Sequence, residues 1–162
     1  MKIPLTIISL ICCLFPVSTP LQAAHHTSAR LDIETAEKKL VAMINEERLK
    51  MGLAPLKIWK ELTLCARKHS QNMADGATSF GHDGFEKRAK EIKQHARYKK
   101  FGENVAYSYN KKDPLKTAVK GWMNSPPHKK TILGAYEETG IGIAYSKDGS
   151  FYVTQLFLTK KR

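Results

Sequence analysis

Apolar residues recur every three or four positions in three stretches of this chain, and every second position in a fourth. Ile33, Ala36, Leu40, Val41, Ile44 and Leu49 share one face of a helix that Asp32 or Thr35 can cap. Glu34, Glu37 and Glu46 fall on other faces, and Gly52 stops the run. Leu62, Cys65, Ala66, His69 and Met73 form a second stripe over about 61–75, closed by Gly76. Asp113-Pro114 opens a third helix, an N-cap followed by proline at the first helical position. Leu115, Ala118, Val119, Trp122 and Met123 make its apolar face, and Pro126-Pro127 ends it.

The period then drops to two. Ile141, Ile143 and Tyr145 alternate with Gly140, Gly142 and Ala144, and Asp148-Gly149 signals a tight turn. Beyond it Phe151, Val153 and Phe157 alternate with Tyr152, Thr154 and Leu156, which predicts a β-hairpin. The small face of Gly140, Gly142 and Ala144 lets another element approach closely. Helices followed by a hairpin predict an α+β fold with a small antiparallel sheet.

The first residues follow a different logic. Lys2 precedes an apolar run from Ile3 to Phe15, Pro16 breaks it, and Leu21-Gln22-Ala23 offers a cleavage site. Residues 1–23 read as a secretory signal peptide, with an uncleaved membrane anchor as the alternative. The run is short of the ~20 apolar residues that span a bilayer. Residues 24–35 are expected as a flexible leader, 36–158 as one domain, and 159–162 as a basic tail. Cleavage would leave Cys65 as the single cysteine and no internal disulfide. Export without disulfides suits a bacterial envelope, so the expected location is secreted or periplasmic. The mature chain is expected to be a monomer with no transmembrane segment. Cys65 lies in an apolar stripe and reads as a buried thiol.

The formal net charge is +12, and loss of residues 1–23 removes only the charge of Lys2. Such a surface favours anionic lipid, lipopolysaccharide or an anionic wall polymer. The alternative is a soluble surface with no partner of its own. Nucleic acid is not expected: the basic residues are dispersed, with no zinc-finger spacing and no RNA-binding aromatic signature.

The candidate chemistry lies between the periodic segments. Gly81-His82-Asp83-Gly84-Phe85 and Gly102-Glu103-Asn104-Val105-Ala106 read as two loops, and His128 follows the double proline. All three ionisable groups thus stand at element ends, where rigid scaffolds place sites.

The chain resembles the CAP superfamily, the SCP-like module shared by cysteine-rich secretory and pathogenesis-related proteins. The resemblance rests on several runs: Ile44-Asn45-Glu46-Glu47-Arg48 with Leu53-Ala54-Pro55-Leu56; His69-Ser70 with Met73-Ala74; Gly81-His82 as far as Arg88; Gly102-Glu103-Asn104; Trp122 to His128 with Ile132-Leu133; and Gly140-Ile141-Gly142 with Thr154-Gln155-Leu156-Phe157. It implies a three-layer α-β-α sandwich with a small antiparallel sheet between helices. It also implies a cleft with two histidines and two acids that binds a divalent cation in several members. His82 matches the first cleft histidine and Glu103 the acid. Two positions depart from the eukaryotic pattern: Ser125 stands in place of the second acid, and Tyr152 in place of the second histidine. His128 follows the bacterial pattern instead.

Each candidate has a plainer reading. His82 can be a loop histidine satisfied by backbone, Glu103 a structural tie to backbone N–H groups, and His128 a cap on the preceding helix. Gln155 on the last strand is a further candidate for the cleft, and Glu86 a weaker one. His69 reads as a satisfied core histidine and Trp122 as core. The expected function is a non-enzymatic secreted module that binds lipid-like or envelope ligands in a groove near a His82–Glu103–His128 cleft. The same three residues would hold a divalent metal such as zinc weakly. The alternative is a metal-dependent hydrolase, a protease or wall-active enzyme, with His82 and His128 on the metal and Glu103 as base. No H-E-x-x-H helix and no G-x-S-x-G elbow accompanies it.

Overall fold

The structure is a computed structural model that describes residues 21–109 and 112–161, with side chains from Ile33 onward. Residues 1–20, which hold most of the expected signal peptide, lie outside the described residues. Five helices and four strands follow in the order α1 (Leu21–Lys50), β1 (Lys57–Ile58), α2 (Lys60–Ala74), α3 (Phe85–Lys93), β2 (Tyr98–Ser108), α4 (Pro114–Asn124), α5 (Pro126–Ile132), β3 (Glu138–Tyr145) and β4 (Phe151–Lys160). Helix α1 runs through the segment expected as a leader, so neither Asp32 nor Thr35 caps it.

The strands form one sheet in the order β1-β3-β4-β2. Strands β3, β4 and β2 are antiparallel neighbours, and the two-residue β1 adds a parallel edge to β3. The sheet is therefore mixed rather than wholly antiparallel. The expected hairpin is present, with Gly149 at φ 80° in its turn.

Side chains of alternate strand residues feed two cores, one on each face. Leu40, Val41 and Ile44 of α1 and Ala118, Val119 and Trp122 of α4 pack with Ile141, Ile143, Val153 and Phe157. Leu62, Cys65 and Ala66 of α2 and Ile92 of α3 pack with Leu156 and Leu158 on the opposite face. This is the α-β-α sandwich. Gly140 and Gly142 allow it to close: a Cβ at either would overlap the backbone of α2, at Leu62-Thr63 and Ala66-Arg67 respectively. The strand glycines thus set the approach of helix to sheet.

Two residues of the resembling motif at the end of α1 act as struts. Arg48 is buried and donates to the carbonyls of Ala54, Ile132, Gly134 and Tyr136, tying α1 to the region after α5. Asn45 exchanges hydrogen bonds with the backbone of Leu56 in both directions.

Both long borders of the sheet are touched by side chains. The indole of Trp122 donates to the carbonyl of Val105 on β2 at 2.9 Å. Glu37 of α1 accepts from the backbone N–H of Ile143 on β3 at 3.2 Å, and Arg67 of α2 clamps the same carboxylate.

Candidate functional site

Gly102–Ala106 is not a loop. It lies inside the eleven-residue strand β2, where Glu103 pairs with Leu156 and Asn104 with Gln155. Gly102 is a close-approach glycine: a Cβ there would overlap the hydroxyl of Tyr136. Alternation turns Glu103 toward the α2–α3 layer and Asn104 toward the opposite layer. The segment after Gly84 is not loop either. Gly84, at φ 77°, starts α3, and Arg88 and Ala89 lie on its buried face with Ile92.

Those two corrections build the site. The Glu103 side chain is 1 % exposed. Arg88 grips it with a fork: Nε donates to Oε2 at 2.6 Å and Nη2 to Oε1 at 2.7 Å. His82 Nδ1 lies 2.9 Å from the same Oε1. A carboxylate paired with a guanidinium only accepts, so His82 carries its proton on Nδ1. Its Nε2 is then a lone pair in the neutral ring, on a side chain 53 % exposed. Arg88 also donates to the carbonyls of Asp83 and His82, fixing the loop that carries the imidazole. His69, buried on α2, holds that loop from below, its Nε2 at 2.9 Å from the Gly81 carbonyl. Burial pushes the His69 imidazole below its ordinary range.

His128 does not cap the preceding helix. Pro126 and Pro127 start a second helix, α5, and His128 stands in its first turn. Its Nδ1 is 2.9 Å from the hydroxyl of Ser125, and its carbonyl accepts from Asn104 Nδ2. Burial lowers its pKa first, and the nearby His82 lowers it further. The two histidines are thus close enough to repel when charged.

Gln155 takes no part. It is wholly buried on the face opposite Glu103 and donates to Thr139 Oγ1. The side-chain oxygens of Asn104 and Gln155, register partners, have no protein partner. Tyr152 packs on Tyr107 with ring centroids 4.7 Å apart. Sequence reasoning missed Arg88, although its place on the stripe of Phe85, Ala89 and Ile92 marks it as inward-facing.

As a metal centre the cleft does not fit the expected set. Both oxygens of Glu103 are engaged by Arg88, and ligation would break a buried fork. Among the described residues, no three His, Cys, Asp or Glu side chains gather as ligands. The donors left are imidazole nitrogens of His82 and His128. Glu103 is a positioning residue for His82.

Two hollows flank α2. A pocket of about 220 Å³ abuts the cleft and is lined by Lys68, His69, Lys87, Arg88 and Glu91 among others. A groove of about 470 Å³ lies between α1 and α2, where Val41, Ile58, Leu64 and Ile141 stand among charged residues that include the Glu37–Arg67 pair. It sits at the β1–β3 side of the sheet, whereas the cleft sits at β2. The groove and the cleft are therefore separate features.

Residues 41–157 match the cysteine-rich secretory protein family, CAP. The chain belongs to that family. It is 39 % identical over 137 residues to YkwD, an uncharacterized protein of Bacillus subtilis (strain 168), covering 83 % of this chain and 51 % of YkwD. The chain thus spans about half the length of that relative. The cysteine-rich secretory protein SAV1118 of Staphylococcus aureus subsp. aureus Mu50 superposes with a TM-score of 0.62 at 30 % identity, over 78 % of this chain and 39 % of that one. An extracellular protein of Bacillus anthracis str. Ames that contains an SCP domain gives 0.64 at 25 % identity, over 78 % and 41 %. The sandwich is shared with both of these solved structures. Among the described residues, no helix is long and apolar enough to cross a membrane.

Proposed function

We propose that this CAP domain is an exported binding module for lipid-like or envelope ligands, not a hydrolase. The observation that carries this reading is the engagement of Glu103. Its carboxylate is 1 % exposed, held at both oxygens by Arg88 and touched by His82, so it presents no oxygen to a substrate. A general base must reach the proton it abstracts, and this one faces inward. The network instead presents one imidazole edge in a fixed tautomer, which suits recognition.

The ligand surface has two further parts. The α1–α2 groove offers Val41, Ile58, Leu64 and Ile141 to an acyl chain and charged residues beside them to a head group. The net charge of +12 attracts anionic lipid head groups, lipopolysaccharide or wall polymer. Export follows from the N-terminal pattern, and the extracellular Bacillus anthracis relative supports it. The domain acts as a monomer. Zinc, where present, is held loosely by His82 and His128.

Vesicle cosedimentation tests the reading. Binding to anionic vesicles is expected to exceed binding to neutral ones and to fall as salt rises. Equal binding to both would sink the electrostatic part. Calorimetric zinc titration is expected to show weak uptake that both His82→Ala and His128→Ala reduce. The mass of protein from its native compartment is expected to match cleavage after Ala23; an intact Met1 would count against export.

A further inference from the structure

The basic residues look dispersed along the chain, but the fold gathers many of them at one end of the sheet. Residues 87–100 hold seven lysines or arginines and a single acid, Glu91. Arg88 is engaged by Glu103, whereas Lys87, Lys90, Lys93, Arg97, Lys99 and Lys100 are exposed. This run passes from α3 into the start of β2, and the last residues of the chain lie beside it. Tyr98 pairs with Lys160, and the Lys161 N–H donates to the Arg97 carbonyl. Helices α1, α3 and α5 carry Lys50, Lys93 and Lys130 in their last turns, where lysine complements the helix dipole. Arg97, Lys99, Lys100 and Lys161 stand outside helices and have no such role. Among the described residues none of these four forms an ion pair, whereas the neighbouring Lys160 is matched by Glu138. Crowded unpaired cations repel one another in the free protein, and an anionic partner relieves that repulsion.

The same end carries apolar groups that narrow the choice of anion. Ile58 on β1 is 52 % exposed, and Leu49 and Met51, where α1 closes, are 57 % and 60 % exposed. Lys57 and Ile58 pair with Glu138 and Thr139 at the start of β3, which adjoins the end of β4. The four strands are about 14 Å wide in all, so the apolar border at β1 and the basic border at β2 fit one footprint. Three half-buried rings at this end each lie under a lysine ammonium. Lys160 stands 4.2 Å from the centroid of Trp59, Lys100 4.3 Å from Tyr136 and Lys93 5.6 Å from Tyr98. Tryptophan, tyrosine and lysine are the residues that settle at the head-group level of a bilayer, with stems and rings toward the acyl side and ammonium groups toward phosphate. A hydrated polyanion would meet the charges but leave Leu49, Met51 and Ile58 in water.

We infer that the end of the sheet bounded by β1, the end of β4 and the α3–β2 junction docks this domain on an anionic phospholipid bilayer. Arg97, Lys99, Lys100 and Lys161 meet the lipid phosphates, and Leu49, Met51 and Ile58 enter the head-group layer. The inference rests on the envelope-binding reading above and gives it a partner and an orientation. Ile58 also lines the α1–α2 groove, so docking sets that groove beside the lipid.

The probe is vesicles of phosphatidylcholine and phosphatidylglycerol in about a three-to-one ratio, at ~0.1 M salt, with the exported protein in cosedimentation. Arg97→Gln/Lys99→Gln/Lys161→Gln removes three charges from this end. Lys39→Gln/Lys120→Gln/Lys147→Gln removes three exposed charges from α1, α4 and the β3–β4 turn. All six positions are exposed, and thermal melts that match the wild type verify both folds. At roughly fivefold per charge, the first variant is expected to bind about a hundredfold more weakly than the wild type, and the second within about threefold of it. Met51→Ser is expected to weaken binding to the same vesicles severalfold. Unchanged binding in the first variant, or equal losses in the two triple variants, overturns the docking surface and leaves anionic-lipid binding to the overall charge. A wild type that binds neither anionic nor neutral vesicles overturns the docking surface and the lipid reading together. Soluble poly(glycerol phosphate) that strips the protein from vesicles at a lower phosphate concentration than competing vesicles do would make a wall polymer the occupant and overturn the bilayer as partner.

Discussion

Arg88 and Glu103, fifteen residues apart, meet in a buried two-point ion pair that also fixes His82. One partner comes from the inward stripe of α3 and the other from the edge strand β2. The pair therefore fastens the third helix to the sheet and shapes the cleft at the same time.

Removing one partner leaves the other charge buried and alone. Arg88→Ala is expected to cost about 3–5 kcal/mol of stability. Arg88→Lys keeps the charge but not the fork and should fall between that variant and the wild type. Urea unfolding of the three proteins checks this. An Arg88→Ala midpoint equal to the wild type would mean that the pair contributes no net stability.

Acid should weaken the fold through two histidines. Burial holds His69 below its ordinary range, and burial with the charge of His82 does the same for His128. The unfolded chain then binds more protons than the folded one once pH falls below ~6.5. The stabilisation is complete above that value and is lost as pH falls toward the folded-state pKa values. The urea midpoint is expected to be lower at pH 5 than at pH 7.5, with a flatter dependence in His69→Gln. A midpoint that rises on acidification would refute the assignment.

Glycine position, not glycine content, decides what alanine does. Gly142→Ala would drive a Cβ into the backbone of α2 and should cost roughly 3 kcal/mol or more. Gly121→Ala, within α4, meets nothing within 4 Å and should stabilise by up to about 1 kcal/mol. Thermal melts of the two variants should move in opposite directions.

Cys65 should be chemically quiet. Burial is the main cause that raises its thiol to about 11. Labelling of the native protein near pH 8 is expected to be slower than that of the unfolded chain by roughly a hundredfold. Comparable rates in native and unfolded protein would show that the α2 stripe opens readily.

The helices with long apolar stripes were legible because burial repeats at the helical period. Leu62, Cys65, Ala66 and Met73 are all core, and Gly140 and Gly142 do admit a helix. Strand β2 was illegible for a physical reason. Gly102-Glu103-Asn104 has the composition of a turn, yet its polar side chains are buried and their hydrogen bonds go to residues distant in sequence. A charge inside a core carries no local signature. Helix α3 was missed on the same ground, since its lysines and glutamates suggest a solvated segment while Arg88 turns inward. Of the candidate residues, the structure joins His82 to Glu103 and sets His128 near them. It sends Gln155 to the opposite face, a choice made by strand parity alone.

The indole of Trp122 on the carbonyl of Val105 has a consequence for the molecule in a crowd. A strand with one free side is a template on which a foreign strand can add, and then another, until a fibre grows. Here a bulky side chain from α4 occupies a hydrogen-bonding position in the middle of β2. Replacing that indole with phenylalanine would keep much of the packing and uncover the carbonyl. The cost would then appear as a new tendency to self-assemble at high concentration, more than as a loss of fold.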